Sequence, residues 1–479
     1  MSRPDRAVVV GGGITGLTAA LRLSQAGTDV TLVEPRRLGG WIQTSMVAGR
    51  AVDETADAFL LRVPWALALC HDLEIDGELV SPAARQASIW VDGRHRRLPA
   101  RHLMGVPTDL DALAASGLLT PEGSARVAAE TDLGRRPGDP GPGPAGTDVA
   151  IGSYLRGRLG DEAVDHLIDP LVGGINAGDT AELSLAAVVP QLDAAARSAD
   201  PSLIRSCRDL LGRATTSSDA PIFAAPLGGM ARIVDALLAF TPGVDLRLGR
   251  RAVAVETSGQ RATVTLDDDT ALEADAVVLA VPAHVAANLL PPVSAEAAQT
   301  MSAIDHSSIA MITLAFDRGS LADDLPEGTS GTLVPRDQGL LVTAVSSATN
   351  KWAQLRDPER DDTILRVSVG RTGDTRHLDL DDPDLIASAL DDLDRLYRVI
   401  GGPTDVRVVR CPDAFPQYTP GHLDRIDAVD RSLEPTPVRV AGMSLRGVGI
   451  PACVRSGEEA AASLGASWPT RRSLESPAP

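Results

Sequence analysis

The hydrophobic pattern is sharpest at the start of the chain. Ala7-Val8-Val9-Val10 is an unbroken apolar run, as expected of a short strand buried on both faces, and it stops at Gly11–Gly16. Leu17–Ala26 then places Ala19, Ala20, Leu21 and Leu23 where a helix can bury them, and Gly27 suits the C-terminal cap. Asp29–Val33 reads as a second strand ending at Glu34. This is a β-α-β unit, the opening of a doubly wound sheet.

Farther along, residues 104–131 have helical character around Leu110, Leu113, Leu118 and Leu119. Residues 134–148 hold too much Pro and Gly to form a core and read as a mobile loop. Residues 149–215 read as mainly helical, with a break expected at Gly173-Gly174. Three strands are expected at Ala252–Glu256, Ala262–Leu266 and Ala276–Val281, with Asp267-Asp268-Asp269 turning between the last two. Residues 309–316, 339–346 and 363–370 supply further strands. Val438–Ala441 leads through a glycine-rich turn into a helix from about Pro451 to Leu464, and the polar tail 467–479 is expected to be disordered. The fold class is therefore mixed α/β, with a nucleotide-binding unit at the start and a second strand–turn–helix at the end.

The glycine run has a chemical reading. Gly11-Gly12-Gly13-Ile14-Thr15-Gly16 is G-x-G-x-x-G between a strand and a helix. Gly11 permits the tight turn, Gly13 lets a pyrophosphate approach the backbone, and Gly16 lets helix and strand come close. The helix N-terminus offers free N–H groups and a positive dipole end. Glu34 lies 18 residues beyond Gly16, where a carboxylate accepts from ribose hydroxyls and repels a 2′-phosphate. NAD or FAD is indicated, and NADP is disfavoured.

Composition narrows the setting. The 479 residues carry a net charge of −19, which argues against a nucleic-acid binder. Cys70, Cys207, Cys411 and Cys453 are scattered, excluding a disulfide scaffold and a Cys-rich metal centre; no metal site is expected. No apolar run reaches bilayer-spanning length, and glycines interrupt the first one where a signal peptide needs continuity. A cytoplasmic protein is expected, with peripheral membrane contact left open.

Past Glu34, Gly39-Gly40-Trp41 brings a second glycine pair near the cofactor, and Val438–Ile450 ends a strand in small residues before the last helix. The E-x-x-x-x-G-G pattern resembles flavoproteins of the amine oxidase and protoporphyrinogen oxidase superfamily, which favours FAD. More specific stretches resemble the porphyrinogen oxidases, among them bacterial coproporphyrinogen III oxidases. These are Gly39–Thr44, Trp90–Gly93, Met104–Asp109, Pro170–Asp179, Gly228-Gly229-Met230, Pro416–His422 and Gly447–Gly457.

That resemblance implies three parts: a Rossmann-like FAD-binding domain (1–60, 216–290 and 405–466), a β-sheet substrate domain (61–97 and 291–404) and a helical domain (98–215). It implies oxidation of a porphyrinogen by FAD and O2 in haem biosynthesis, with three hydride-transfer rounds and H2O2 release. Coproporphyrinogen III is the favoured substrate and protoporphyrinogen IX the alternative. A hand-off to a later haem-pathway enzyme is a further implied partner. The corresponding flavin contacts are Gly11, Gly12, Gly13, Ile14, Thr15, Gly16, Glu34, Gly40, Trp41, Asp57, the backbone of Val253, and Val448, Gly449 and Ile450. Gly174, Ile175 and Asn176 correspond to the substrate side of the flavin. More distant alternatives are a flavin amine oxidase, a carotenoid desaturase and a non-catalytic flavin-binding scaffold.

Two departures stand out. Thr55-Ala56-Asp57-Ala58 replaces the family's usual Gly-Pro-Asp-Ser, and Cys411 stands where Trp is common. Cys411 reads as a small buried hydrophobe rather than a reactive thiol. No nucleophilic constellation is evident. His284, His306 and His422 are weak candidates for accepting pyrrole protons, each more readily a structural or surface histidine. Arg94-His95-Arg96-Arg97 with Arg101 is the densest basic run; substrate carboxylates, anionic lipid and plain solvation all suit it. Arg62 is a further substrate candidate. The apolar stretch 183–190 fits a membrane face or a core equally.

Overall fold

The computed structural model describes residues 3–84, 86–99, 101–132, 147–213, 221–321, 328–357, 359 and 362–468. Most of the Pro/Gly-rich stretch 134–148 and the tail beyond 468 lie outside the described residues.

The opening unit forms as its pattern predicts: β1 (Arg6–Val10), α1 (Ile14–Gln25) and β2 (Asp29–Glu34). Three later segments complete a five-stranded parallel sheet: β3 (Asp245–Leu248), β4 (Ala276–Leu279) and β5 (Val438–Val440), in the order β3-β2-β1-β4-β5. Alternation along the strands divides the apolar residues between two cores. Ala7, Val9, Ala276 and Val278 face α1, the helix Ala231–Ala239 and α2 (Ile450–Ser463), while Val8, Val10, Val277 and Leu279 face the helices Ala283–Leu289, Ala295–Ser302 and His422–Leu433. This two-sided burial explains why β1 reads as a continuous apolar run.

The expected strand at 276–281 forms as Ala276–Leu279, and a further strand, Ala271–Ala274, precedes it. Ala271–Ala274 completes an antiparallel meander with Ala252–Ser258 and Arg261–Leu266, whereas Ala276–Leu279 joins the parallel sheet. Asp275 makes the switch: its N–H donates to the Arg6 carbonyl (2.9 Å) and its carboxylate accepts the Arg6 N–H (3.0 Å), pinning the chain beside β1.

A seven-stranded sheet forms the second layer. Its order is Asp405–Pro416, His306–Phe316, Thr363–Val369, Val342–Ser347, Thr329–Leu333, Gln86–Val91 and Arg94–Arg97, antiparallel except where Thr329–Leu333 meets Gln86–Val91. The helices of residues 110–213 enclose their own core, which takes in Leu183, Leu185 and Val189. Core burial therefore accounts for the apolar stretch at 183–190. Among the described residues, no helix is long and apolar enough to cross a membrane.

The break expected at Gly173-Gly174 falls elsewhere. A wide-turned helix at Val164–Gly173 runs on into Gly174–Asn176, with both glycines in right-handed helical conformation. The chain turns at Ala177 (φ +45°). There Asn176 Nδ2 donates back to the Val172 carbonyl (2.8 Å) and the Gly178 N–H to the Gly173 carbonyl (2.9 Å), closing the helix end.

Candidate functional site

At the carboxyl end of β1 the glycines take distinct roles. Gly11 has φ +106°, and a Cβ there would strike the Ala280 carbonyl; a Cβ on Gly16 would strike the Gly11 carbonyl. Gly13 differs. Its φ and ψ of −72° and 177° suit any residue, yet nothing lies within 4 Å of where its Cβ would be. That open space is bordered by the start of α1, which has no side-chain cap and no acid in its first turn. The first helical bond runs from Leu17 N–H to Gly13 O (2.9 Å), so the N–H groups of Ile14, Thr15 and Gly16 face out of the helix end. A diphosphate fits this cradle in size and charge.

Glu34 braces the cradle as well as charging it. One carboxylate oxygen accepts the Gly12 N–H (2.7 Å) and the other the Arg36 N–H (2.8 Å). The second glycine pair lies against the first: Gly39 N–H donates to Gly12 O (2.8 Å), and Gly40 approaches Gly13 closely enough that its Cβ would sit 3.3 Å from the Gly13 Cα. Val253 falls where the meander slips register between Ala252 and Ala254 and is half-exposed.

The closing turn reaches the same place. The Gly442 N–H donates to Ser456 Oγ (2.9 Å), and Gly442, Gly447 and Gly449 all have positive φ. Val448 and Gly449 lead into Ile450 and α2, which starts without a side-chain cap or a first-turn acid. Gly457 on α2 lies so close to α1 that a Cβ would strike the Thr15 carbonyl. The two glycine turns thus converge at one end of the parallel sheet.

Trp41 links them to the larger sheet. It lies with Met311, Val409 and Phe415 against the small buried cluster Ala177, Ile309, Cys411 and Ala414. Burial pushes the Cys411 thiol up to about 12, so it serves as apolar filling, with Trp41 and Phe415 providing aromatic surface beside it. Beneath Trp41, the Thr55 hydroxyl donates to the Trp41 carbonyl and Arg366 donates to the Thr55 carbonyl. Asp57 anchors this ladder by pairing with Lys351 Nζ (2.8 Å) and Arg366 Nη1 (2.9 Å). Despite burial, these cations hold its carboxyl well below the usual carboxylate range. Its oxygens are engaged in the brace. Nearby, Asp53 accepts from Thr44 Oγ1 (2.6 Å) and the Met230 N–H (2.7 Å), tying the Gly228-Gly229-Met230 segment to the hairpin 44–53. Burial pushes its carboxyl up to about 6, against those hydrogen bonds.

At the end of the wide-turned helix, Gly174 and Ile175 are exposed and Asn176 is buried. Of the histidines, His422 is fully buried, donates from Nε2 to the Leu445 carbonyl (2.7 Å) and is pushed down to about 4 by burial. His306 donates from Nδ1 to the Ile304 carbonyl (2.9 Å) and meets His284 edge-on at 5.2 Å; burial and that neighbour hold it below its usual value.

Not all expected residues gather here. Arg94–Arg97 forms one edge of the seven-stranded sheet, and Cys411 lies in the strand at the other edge, six strands away. That is roughly 29 Å along the sheet at about 4.8 Å per strand. Arg96 lies beneath Gly117, whose Cβ would sit 2.9 Å from its guanidinium; Arg62, Arg97 and Arg101 are exposed. A basic pair with no local signature in the sequence lies nearer. Arg37 and Arg407 both hold Glu54, whose side chain is 2% exposed, and Arg37 also bears electrostatically on Cys411. Arg37's place between Glu34 and Gly39-Gly40 was the available clue.

Residues 14–464 match the sequence profile of the flavin-containing amine oxidoreductases. Coproporphyrinogen III oxidase of Mycobacterium tuberculosis is 35% identical over 468 residues, covering 96% of this chain and 97% of that protein. The Bacillus subtilis protein of the same name is 31% identical, covering 95% and 96%. A crystal structure from Exiguobacterium sp. 255-15, of a protein provisionally named a protoporphyrinogen oxidase, superposes with a TM-score of 0.84 at 31% identity, covering 96% of this chain and 98% of that one.

Proposed function

The chain belongs to the flavin-containing amine oxidoreductase family, and from that premise we propose that it is an FAD-dependent porphyrinogen oxidase of haem synthesis, converting coproporphyrinogen III to coproporphyrin III. The observation that carries the reading is the convergence of Gly11–Gly16, Gly39–Trp41 and Gly442–Ile450 beside the Gly174–Asn176 turn. When bound, FAD supplies a two-electron acceptor for each of three rounds, and O2 takes the electrons on as H2O2.

The chain's own residues do the placing. The N–H groups of Ile14, Thr15 and Gly16 hold the diphosphate over Gly12 and Gly13, Glu34 meets the ribose, and the Val253 backbone meets the adenine edge. Gly40 and Trp41 border the cofactor on one side, with Asp57 bracing Trp41 from below. Val448, Gly449 and Ile450 present the start of α2, whose dipole favours negative charge on the far ring system. Exposed Gly174 and Ile175, with Asn176 locked beneath them, offer a low apolar surface to the macrocycle. Arg37 and Arg407, gathered around Glu54 with Arg37 acting electrostatically on Cys411, would meet carboxylates, which an acidic protein must otherwise repel. Aromaticity gained by the ring drives the reaction, so no nucleophile is required, and pyrrole protons pass to solvent.

Coproporphyrinogen III carries two more propionates than protoporphyrinogen IX, and the charged pair favours it. Initial rates under matched conditions should favour coproporphyrinogen III by about tenfold in kcat/KM, equivalent to about 1.4 kcal/mol. Equal rates, or a preference for protoporphyrinogen IX, would remove the substrate assignment.

A further inference from the structure

One short segment lies between the two sides of the site. The Gln417 side-chain amide is buried and shares its two N–H hydrogens among the Asn176 carbonyl (3.1 Å), Ser307 Oγ (3.0 Å) and the Phe415 carbonyl (3.0 Å). It therefore fixes the end of the Gly174–Asn176 turn to the larger sheet. The next residue reaches the other way. The Tyr418 hydroxyl donates to the Met443 carbonyl and accepts the Gly447 N–H (3.0 Å), closing the glycine turn across its span. His422, the first residue of the helix that follows, stacks on the Tyr418 ring (centroids 4.0 Å apart, planes at 17°) and donates to the Leu445 carbonyl between those two points.

The turn needs such support. Gly442, Gly447 and Gly449 all have positive φ, and glycine gives the chain between them wide conformational freedom. Three hydrogen bonds, to residues 443, 445 and 447, remove that freedom from inside the core. A tyrosine needing only to satisfy its hydroxyl would require one partner, whereas this one bridges two points of a single turn.

We propose that Gln417 and Tyr418 are positioning residues forming a two-sided clamp. Gln417 sets the Gly174–Asn176 turn and hence substrate placement, while Tyr418, backed by His422, sets the Met443–Gly449 turn and hence the environment of the flavin ring. The proposal rests on the flavin and porphyrinogen reading given above.

The two halves have separable consequences. Tyr418→Phe keeps the ring and its stacking and deletes only the hydroxyl. It should shift the visible spectrum and reduction potential of bound flavin and lower kcat by roughly tenfold, the scale of one or two lost hydrogen bonds, with KM unchanged. Gln417→Met keeps the length and removes the donors. It should raise KM several-fold and leave the flavin spectrum and potential at parental values. If Tyr418→Phe does not fold, His422→Phe, which retains an aromatic face but not the donor to Leu445, should give the same spectral shift at smaller size. Parental flavin properties in both aromatic variants, or identical phenotypes for the Gln417 and Tyr418 variants, would overturn the clamp. A parent protein that binds flavin but is not reduced by coproporphyrinogen would sink the functional reading instead, while the Tyr418→Phe spectral shift would still support the flavin side of the clamp.

Discussion

Gly13→Val should fold normally and lose its flavin. The backbone at Gly13 already has a conformation open to any residue, and no protein atom lies within 4 Å of the added Cβ, so the melting temperature of the flavin-free protein should stay within a few degrees of the parent. The branched side chain instead fills the space in front of the Ile14–Gly16 N–H groups. Flavin affinity should fall by roughly two orders of magnitude, about 2.8 kcal/mol. Gly16→Val is the control with the opposite balance: its Cβ meets the Gly11 carbonyl, so the β1–α1 junction must distort and stability should fall together with binding. Equilibrium dialysis with FAD and thermal melting of both variants separate the two effects. Full occupancy in Gly13→Val would show that the diphosphate lies elsewhere.

Asp57→Ala should be among the most destabilising single changes in the chain. It leaves Arg366, whose side chain is 4% exposed, and Lys351 without their shared counter-ion in a poorly hydrated place. Stranding buried charge in this way costs about 3–5 kcal/mol. The loss should also spread to Trp41, because Arg366 and Thr55 connect Asp57 to the Trp41 carbonyl. The pH dependence has a fixed sign. Asp57's folded pKa is depressed, so its contribution is present above the unfolded value of about 4 and is lost as the pH falls through the lower folded value. Denaturant titrations across the acid range should therefore show the gap between parent and Asp57→Ala narrowing toward low pH. A variant within 1 kcal/mol of the parent at neutral pH would contradict the brace.

How much of this was legible in the sequence depended on whether the cause was local. The β1–α1–β2 unit was, because an apolar run, a glycine turn and a periodic helix all lie within 34 residues. The strand Asp405–Pro416 was not: Val406 and Val408 flank Arg407, but Val409-Arg410 breaks the alternation and Pro412 interrupts, so its pairing with His306–Phe316 is what makes it a strand. Gly173-Gly174 suggested a break because two glycines weaken a helix, yet the end is set by Asn176 and Ala177. Charge density singles out Arg94–Arg97, whereas Arg37 and Arg407 lie 370 positions apart and are brought together by Glu54. Asp57 stands out in the sequence only through the family resemblance; its partners lie some 300 positions away and its bracing role could not be read locally. The same holds for Tyr418 and the turn it closes.

The most direct test of the central claim is anaerobic mixing of the flavin-loaded protein with coproporphyrinogen III while the visible flavin absorption is followed. The account predicts that the oxidised-flavin band bleaches on mixing, as the flavin takes the first two of six electrons, and that admitting O2 restores the band while porphyrin absorption rises. A flavin band that remains unchanged in the presence of excess coproporphyrinogen III would contradict it.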